Sequence, residues 1–235
     1  MGLTIIGEET AAPTPAAPTP AASPTPAAPT PAAAATPAAA TPAAATPADP
    51  AKCTTCKDEE KKKKKTWAEE HEKEMKASLA EQKKMLEAKK ADLLRNDDAT
   101  KANLQKFYGS SSEETRQTTL ARVDKELALN NEMSKNPSAY FQDAAEGTKP
   151  GTYAYVYPND STHQIYLGDA FKTAPLTGED SQAGTLAHEM SHFSDIGGTK
   201  DNIYGATGAL GLAKTDPTAA LNNADSFEYY VEGVR

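Results

Sequence analysis

The chain has 235 residues, 38% hydrophobic and 25% charged, with 17 prolines and 2 cysteines. No apolar run approaches the roughly 20 residues of a membrane-spanning helix, so no membrane association is predicted, and two cysteines are too few for a disulfide-stapled miniprotein. The net charge of −8 lies in the last 98 residues, where 5 Lys and Arg face 13 Asp and Glu, which disfavours nucleic acid and suits a cationic ligand.

The first 57 residues predict a tag and a linker rather than a domain. Residues 1–10 lack the basic start and the long apolar run of a signal peptide. Residues 11–57 hold 12 of the 17 prolines in Ala-Ala-Pro-Thr-Pro-like repeats, which predicts a disordered Pro/Ala-rich linker. A tag ahead of a linker has two interpretations. Either residues 1–50 engage a secretion apparatus and deliver an effector or toxin without a signal peptide, or the tag has no function and the protein is cytoplasmic.

Cys53 and Cys56 form a C-x-x-C pair close to the run Lys61 to Lys65. A redox pair of this kind follows a strand and opens a helix, whereas half of a zinc site needs a second Cys or His pair. Neither context is present, so we expect an incidental or locally disulfide-bonded pair. Acidic residues flank the lysines, which favours a solvated junction over a nucleic-acid patch.

The domain predicted over residues 58–235 begins with a helical part, residues 58–150. Apolar residues recur about every seven positions over 67–94 without Gly or Pro, which predicts a long amphipathic helix. A second helix, centred on Val123, is predicted to end before Pro137. We expect these helices to serve packing, with the binding of a partner as the alternative.

After residue 150 the pattern of residues changes from helical to strand-like. Alternating aromatic residues at 153–157 and the apolar run 164–167, separated by a Pro-Asn-Asp turn, predict two short antiparallel strands. A helix capped by Asp180 or Ser181 is predicted to extend to Phe193, and Gly-rich breaks separate the helices that follow. Together these elements predict a mainly helical α+β fold with a small antiparallel sheet.

The helix that ends at Phe193 contains the motif His-Glu-x-x-His. The spacing of four residues puts His188 and His192 one turn apart on one face, so that both imidazoles can bind one Zn²⁺ at about 2.0–2.1 Å. Glu189, beside the first histidine, can hold a water at the metal. This is the arrangement of zinc peptidases, although the isolated motif also occurs in ordinary helices with two surface histidines.

A catalytic zinc needs a third protein ligand and one open position. Asp195 and Gly198 stand where the metzincin pattern places Gly and His, which excludes that class. Gly197 and Gly198 let the chain reverse towards the metal, which would deliver the carboxylate of Asp201. The alternatives are that Asp201 only caps a helix terminus, and that Asp195 or Glu228 is the third ligand.

At this point HEMSHF followed by GGTKDNIYG resembles the aspzincins, the deuterolysin-like zinc metalloproteases, and among them the peptidyl-lysine metalloendopeptidases. The likeness is dense over residues 151–235, which are therefore predicted to be the catalytic core. The resemblance implies a zincin-like fold with one Zn²⁺, with His188, His192 and Asp201 as ligands and Glu189 as general base and acid. It further implies that Tyr204 donates a hydrogen bond to the oxyanion. The alternative for Tyr204 is a packed aromatic side chain.

The resemblance also implies cleavage of proteins or peptides on the amino side of lysine. Asp225 and Glu228 match the acidic pair that holds the substrate ammonium in lysine-specific members, since two carboxylates can neutralise one ammonium group. The same Asp-x-x-Glu spacing is a capping box, and both roles can coexist. The family's secreted members are disulfide-bonded, whereas residues 57–235 contain no cysteine, so packing and the metal must supply the stability.

A non-enzymatic, zinc-stabilised helical interaction module is the alternative function. Structural zinc is usually closed by four protein ligands, and no fourth Cys or His lies near the motif in sequence. The pattern therefore favours a metalloendopeptidase.

Overall fold

The structure is a computed structural model that describes residues 65–233. The predicted tag at 1–10, the linker at 11–57 with Cys53 and Cys56, and residues 61–64 of the lysine run lie outside the described residues. The predictions made for them remain predictions.

Nine helices and three short strands make up the described part of the chain. In chain order they are α1 (Trp67–Glu70), α2 (Glu72–Arg95), α3 (Asp98–Tyr108), α4 (Glu113–Met133), β1 (Phe141–Asp143), β2 (Ala154–Val156), β3 (Ile165–Leu167), α5 (Asp169–Thr173), α6 (Gln182–His192), α7 (Ala206–Thr215), α8 (Pro217–Leu221) and α9 (Ala224–Glu232). The predicted mainly helical α+β class is confirmed. No helix between residues 65 and 233 combines the length and the apolar character needed to cross a membrane.

The long helix predicted over 67–94 forms in two pieces. A capping box at Thr66 starts α1, and the backbone of His71 leaves helical geometry before α2 begins. The seven-residue spacing places one apolar stripe of α2, which includes Leu79 and Leu86, against the core with no exposed surface. Each such leucine contributes about 2 kcal/mol by burial, so the stripe rather than helix propensity holds α2 in place.

The second predicted helix is α4, and α3 lies between the two without having been predicted. Asp97 caps the start of α3 by accepting from the backbone N–H of Thr100 at 2.9 Å. Gly109 ends it at φ +68°, and a side chain there would collide with the carbonyl oxygen of Ala213. Only glycine suits this position, because the left-handed backbone and the close approach both exclude a Cβ.

The sheet differs in one respect from the prediction. Strands β2 and β3 pair antiparallel, with Tyr155 opposite Tyr166, as predicted. Strand β1 adds to the other side of β3 in parallel, so the order is β1-β3-β2 and the sheet is mixed rather than purely antiparallel. Strand β1 was not predicted, because three residues are too few to show a period-two pattern.

Helix α6 lies between two apolar clusters and is buried along its whole length. Ala187 faces the cluster formed by α2, α3, α4 and α9, whereas Leu186 and Met190 face the cluster that contains the strands. Its contacts with α9 and α2 hold it on both sides. The helix that carries the His-Glu-x-x-His motif is therefore the central element of the fold.

Candidate metal centre

Hydrogen bonds join the start of α6 to the last turn of α9. Ser181, rather than Asp180, caps α6, since its hydroxyl accepts from the N–H of Gly184 at 2.9 Å. Oε1 of Glu232, in the last turn of α9, accepts from the N–H of Ser181 at 3.1 Å and from its hydroxyl at 2.7 Å. Each helix thus locks the terminus of the other.

The two motif histidines and Asp201 converge on one point. Oδ1 of Asp201 lies 3.2 Å from Nε2 of His188 and 3.3 Å from Nε2 of His192. Ligands of a tetrahedral zinc at 2.0–2.1 Å stand about 3.3 Å apart. Two imidazole nitrogens and one carboxylate oxygen therefore have both the donor chemistry and the spacing that Zn²⁺ requires.

The other nitrogen of each imidazole is held by the protein. Nδ1 of His192 donates to the carbonyl oxygen of Thr199 at 3.0 Å, and Nδ1 of His188 donates to Oε2 of Glu228 at 3.0 Å. A proton on Nδ1 leaves the lone pair on Nε2 free for a metal. Thr199 is also bonded back to α6, through its hydroxyl and that of Ser191 at 2.6 Å.

Of the residues considered for the third ligand, only Asp201 lies at the Nε2 atoms of both motif histidines. Helix α6 ends at His192, and Asp201 lies in the loop beyond it and caps no helix. Asp195 lies against Nε2 of His163 at 3.1 Å, away from the two motif histidines. Glu228 contacts the Nδ1 side of His188, opposite the nitrogen that faces Asp201.

Glu189 and Tyr204 face a cleft of about 750 Å³ that opens above the histidines. Burial raises the pKa of Glu189, and the two neighbouring histidines oppose that rise. Tyr204 is 67% exposed, so the alternative of a packed aromatic side chain is wrong. Partial burial and a hydrogen bond with Asp201 raise the pKa of Tyr204 to about 12, which keeps its hydroxyl a donor.

Asp225 and Glu228 lie inside α9 and do not form a capping box. The N-cap of this helix is Asn223, and no side chain caps it. Oδ1 of Asp225 and Oε2 of Glu228 both lie 3.0 Å from Nδ1 of His188. Oδ2 of Asp225 accepts from the N–H of Gly205, whereas Oε1 of Glu228 makes no hydrogen bond to the described part of the chain.

Three carboxylates therefore surround one imidazole. Burial by itself lowers the pKa of His188, but hydrogen bonds with Asp201, Asp225 and Glu228 raise it well above its ordinary value. Burial also raises the pKa of Glu228, with Asp225 adding to the rise and His188 opposing it. Such an excess of buried negative charge favours the binding of a cation.

Comparison with known proteins places this geometry in a family. The family described as lysine-specific metallo-endopeptidase, the aspzincins, matches residues 93–232. The chain belongs to the aspzincin family. A peptidyl-Lys metalloendopeptidase of Pleurotus ostreatus is 39% identical over 128 residues, which cover 52% of this chain and 76% of the relative.

Two other relatives are longer than the region they share. An extracellular protease of Aeromonas hydrophila is 54% identical over 86 residues, 37% of this chain and 25% of the relative. A peptidyl-Lys metalloendopeptidase of Grifola frondosa is 50% identical over 101 residues, 43% of this chain and 29% of the relative. The chain thus spans less than a third of the length of either. The structure of a zinc peptidase from Grifola frondosa superposes with a TM-score of 0.61 and 35% identity, covering 70% of this chain and 95% of that one.

Some side chains of the aspzincin cleft were not predicted. Asp180, considered only as a helix cap, lines the cleft at φ +53° and accepts from the hydroxyl of Tyr229 at 2.8 Å. Tyr153 lines it as well. Two residues outside the cleft were missed as well: Thr199 bonds to His192 and Ser191 of α6, and Glu232 bonds to Ser181 at the start of that helix. Only Asp180 carried a sequence signal, since it adds to the acidic excess of the last 98 residues.

Proposed function

We propose that the chain is a zinc endopeptidase that cleaves peptide bonds on the amino side of lysine. The observation that carries the proposal is the environment of His188, whose Nε2 faces Asp201 and whose Nδ1 faces Asp225 and Glu228. One side of the imidazole suits a metal ion, and the other side presents carboxylates to an open cleft. A zinc ion at Nε2 and a substrate ammonium group near Nδ1 would both offset this negative charge.

We infer that a single zinc ion binds, with His188, His192 and Asp201 as its ligands. The acidic group around Nδ1 of His188 also has metal-ligating chemistry. However, a neutral imidazole has one lone pair, and the Nδ1 proton donates to Glu228. A second ion at Nδ1 would have to displace this proton, so the acidic pair suits an ammonium group better than a metal.

The reaction follows from the positions of three groups. Zinc bound at the triad would polarise the scissile carbonyl and acidify a water. Glu189, buried beside the triad and open to the cleft, is placed to accept a proton from a water in the cleft and would pass it to the leaving amine. The hydroxyl of Tyr204, which is exposed in the cleft, would donate to the oxyanion.

The cleft offers two further contacts to a peptide. Strand β2 pairs only with β3 among the described strands, and the residues of β2 line the cleft, so its free edge can pair with an extended substrate. Oε1 of Glu228 remains available to the lysine ammonium, next to the charge of Asp225. Lysine-containing peptides would therefore bind with the lysine side chain over α9.

The non-enzymatic alternative requires a closed metal site. The two remaining histidines of the chain lie elsewhere, since His71 stacks on Trp67 and His163 contacts Asp195. Among residues 65–233 no further histidine or cysteine approaches the triad as a fourth ligand, which leaves a position for water and substrate. This supports a catalytic site.

One experiment tests function and specificity together. The purified protein is analysed for zinc and then incubated with a denatured protein substrate, whose new termini are read by mass spectrometry. New amino termini should begin with lysine, and Glu189→Gln, with zinc still bound, should cleave far more slowly. A Glu189→Gln protein as fast as the parent would refute the proposal, and termini without lysine would refute the specificity alone.

We also propose that the protein is secreted, and that residues 1–50 are needed for its export. The extracellular protease of Aeromonas hydrophila supports secretion, and the linker-like composition of residues 11–57 supports a tethered tag. Deleting residues 1–50 should abolish export and leave peptidase activity unchanged. Unchanged export would refute this role of residues 1–50.

A further inference from the structure

The loop that presents Asp201 is attached to the segment that precedes α9. The N–H of Lys200 donates to the carbonyl oxygen of Asn222 at 2.9 Å, and the N–H of Ala224 donates to the carbonyl oxygen of Lys200 at 3.0 Å. These bonds form a single parallel β-bridge. They fix the chain immediately before Asp201 and leave the residues after it to be held by other groups.

The side chain of Asn223 holds those residues. Its Oδ1 accepts from the N–H of Asn202 at 2.9 Å and from the N–H of Ile203 at 3.1 Å. Its Nδ2 donates to the hydroxyl of Ser226 at 3.2 Å, and the side chain is fully buried. One amide group thus binds the two residues that follow Asp201 and is itself oriented by α9.

The position of Asn223 argues against an ordinary helix-capping role. It is the N-cap residue of α9, where an asparagine side chain commonly accepts from a backbone N–H in the first turn. Here the side chain makes no such bond, and its oxygen is directed to the loop instead. The side-chain oxygen that would normally accept from the first turn of α9 accepts instead from the loop that carries Asp201.

We propose that Asn223 is a positioning residue for Asp201. By fixing the N–H groups of residues 202 and 203, it keeps Oδ1 of Asp201 within 3.2 Å of His188 and 3.3 Å of His192. It also joins the metal loop to α9, the helix that carries Asp225 and Glu228. The inference rests on the zinc site proposed above. Groups that orient metal ligands in this way typically change metal affinity 10- to 100-fold, and we expect this range for Asn223.

The test uses Asn223→Ser, with Asn222→Ser as the matched control. Serine is a good N-cap residue, so α9 keeps its start, but its short side chain cannot reach both loop N–H groups. Asn222 is exposed, and its side chain bonds only to the carbonyl oxygen of Thr218, while its backbone contact with Lys200 survives substitution. The readouts are the zinc dissociation constant, from competition with a chromophoric chelator, and the visible spectrum of the Co²⁺-loaded protein.

We expect Asn223→Ser to raise the zinc dissociation constant roughly 10- to 100-fold and to change the Co²⁺ spectrum. Asn222→Ser should match the parent in both. In an Asp201→Ala background, Asn223→Ser should cause little further loss, because a group that acts through Asp201 has nothing left to position. Equal losses in both backgrounds, or parent-like binding and spectrum for Asn223→Ser, would overturn the inference.

Two further outcomes are informative. A parent protein that binds no zinc would refute the proposed function, which is distinct from a parent that binds zinc while Asn223→Ser binds it equally well. If Asn223→Ser does not fold, Asn223→Asp takes its place, since a carboxylate keeps an acceptor for both N–H groups. A folded Asn223→Asp protein whose zinc affinity falls as far as that of Asp201→Ala would also overturn the inference.

Discussion

Replacing Glu228 by glutamine separates lysine recognition from catalysis. The change removes one charge and keeps the size of the side chain and an oxygen that can accept from Nδ1 of His188. Oε1 of Glu228, which has no partner in the described part of the chain, is the atom that we expect to bind the substrate ammonium. The loss should therefore affect substrates that carry this charge and spare those that lack it.

The magnitude follows from burial. A hydrogen bond to a charged group contributes about 1.5–3 kcal/mol, and Glu228 is only 6% exposed, so solvent screens it little. Asp225 keeps part of the attraction in the variant, since it lies on the same imidazole nitrogen. We expect a loss of about 1.5–2.5 kcal/mol, which corresponds to roughly 10- to 70-fold in kcat/KM for a lysine peptide.

The assay compares two peptides that differ only in lysine or norleucine after the scissile bond. Glu228→Gln should lower kcat/KM for the lysine peptide and leave the norleucine peptide nearly unchanged. Glu232→Gln is the matched control, because Glu232 lies one turn further along α9 and its carboxylate is directed to Ser181. An unchanged ratio between the peptides would show that the ammonium binds elsewhere. An equal loss for both would show that Glu228 acts only through His188.

Three further predictions concern stability. Burial raises the pKa of Glu232 to about 8, so the folded protein holds this proton more tightly than the unfolded chain does. With allowance for the partial exposure of Glu232, the free energy of unfolding should fall by about 1–2 kcal/mol as the pH rises from 5 to 8, and urea unfolding of Glu232→Gln should lack this pH dependence. Gly109→Ala should cost about 2–4 kcal/mol in thermal unfolding, from the left-handed backbone and the collision with Ala213, without changing zinc affinity. Chelation of zinc should lower the free energy of unfolding by about 2.7 kcal/mol relative to protein in zinc at 100 times its dissociation constant, and an unchanged melting temperature would contradict a native-state zinc site.

Local sequence spacing predicted the part of the site that a helix creates. His188 and His192 face the same way because four residues make about one turn, and the glycines after α6 indicated a chain reversal that brings Asp201 back. The acidic pair of α9 was identified by resemblance, and its capping interpretation failed because the N-cap of the helix is Asn223, two residues before Asp225. Boundaries of this kind depend on which residue is N-cap, and spacing alone does not fix that.

The remaining contacts join segments far apart in the chain. Strand β1 forms because β3 offers a partner to a three-residue segment, and α3 is held by its cap and by packing on α7 and α9. Asn223 resembles a routine N-cap residue in sequence, and its role becomes visible only when residues 202 and 203 are seen beside it. Pattern and propensity describe one element at a time, whereas these interactions require the relative placement of two.

Helix α9 connects the two parts of the proposed chemistry. Glu228 accepts from Nδ1 of His188 with one carboxylate oxygen and presents the other to the cleft, so the side chain that reads the substrate charge also orients a metal ligand. Asp225 connects α9 to the loop of Tyr204 by accepting from the N–H of Gly205, and Asn223 connects the same helix to the loop of Asp201 by accepting from the N–H of Asn202. A lysine ammonium that binds Glu228 would therefore offset the negative charge that surrounds His188. Because the groups share one buried network, a change in the preferred residue would require both a new pocket and a side chain at position 228 that still accepts from Nδ1 of His188.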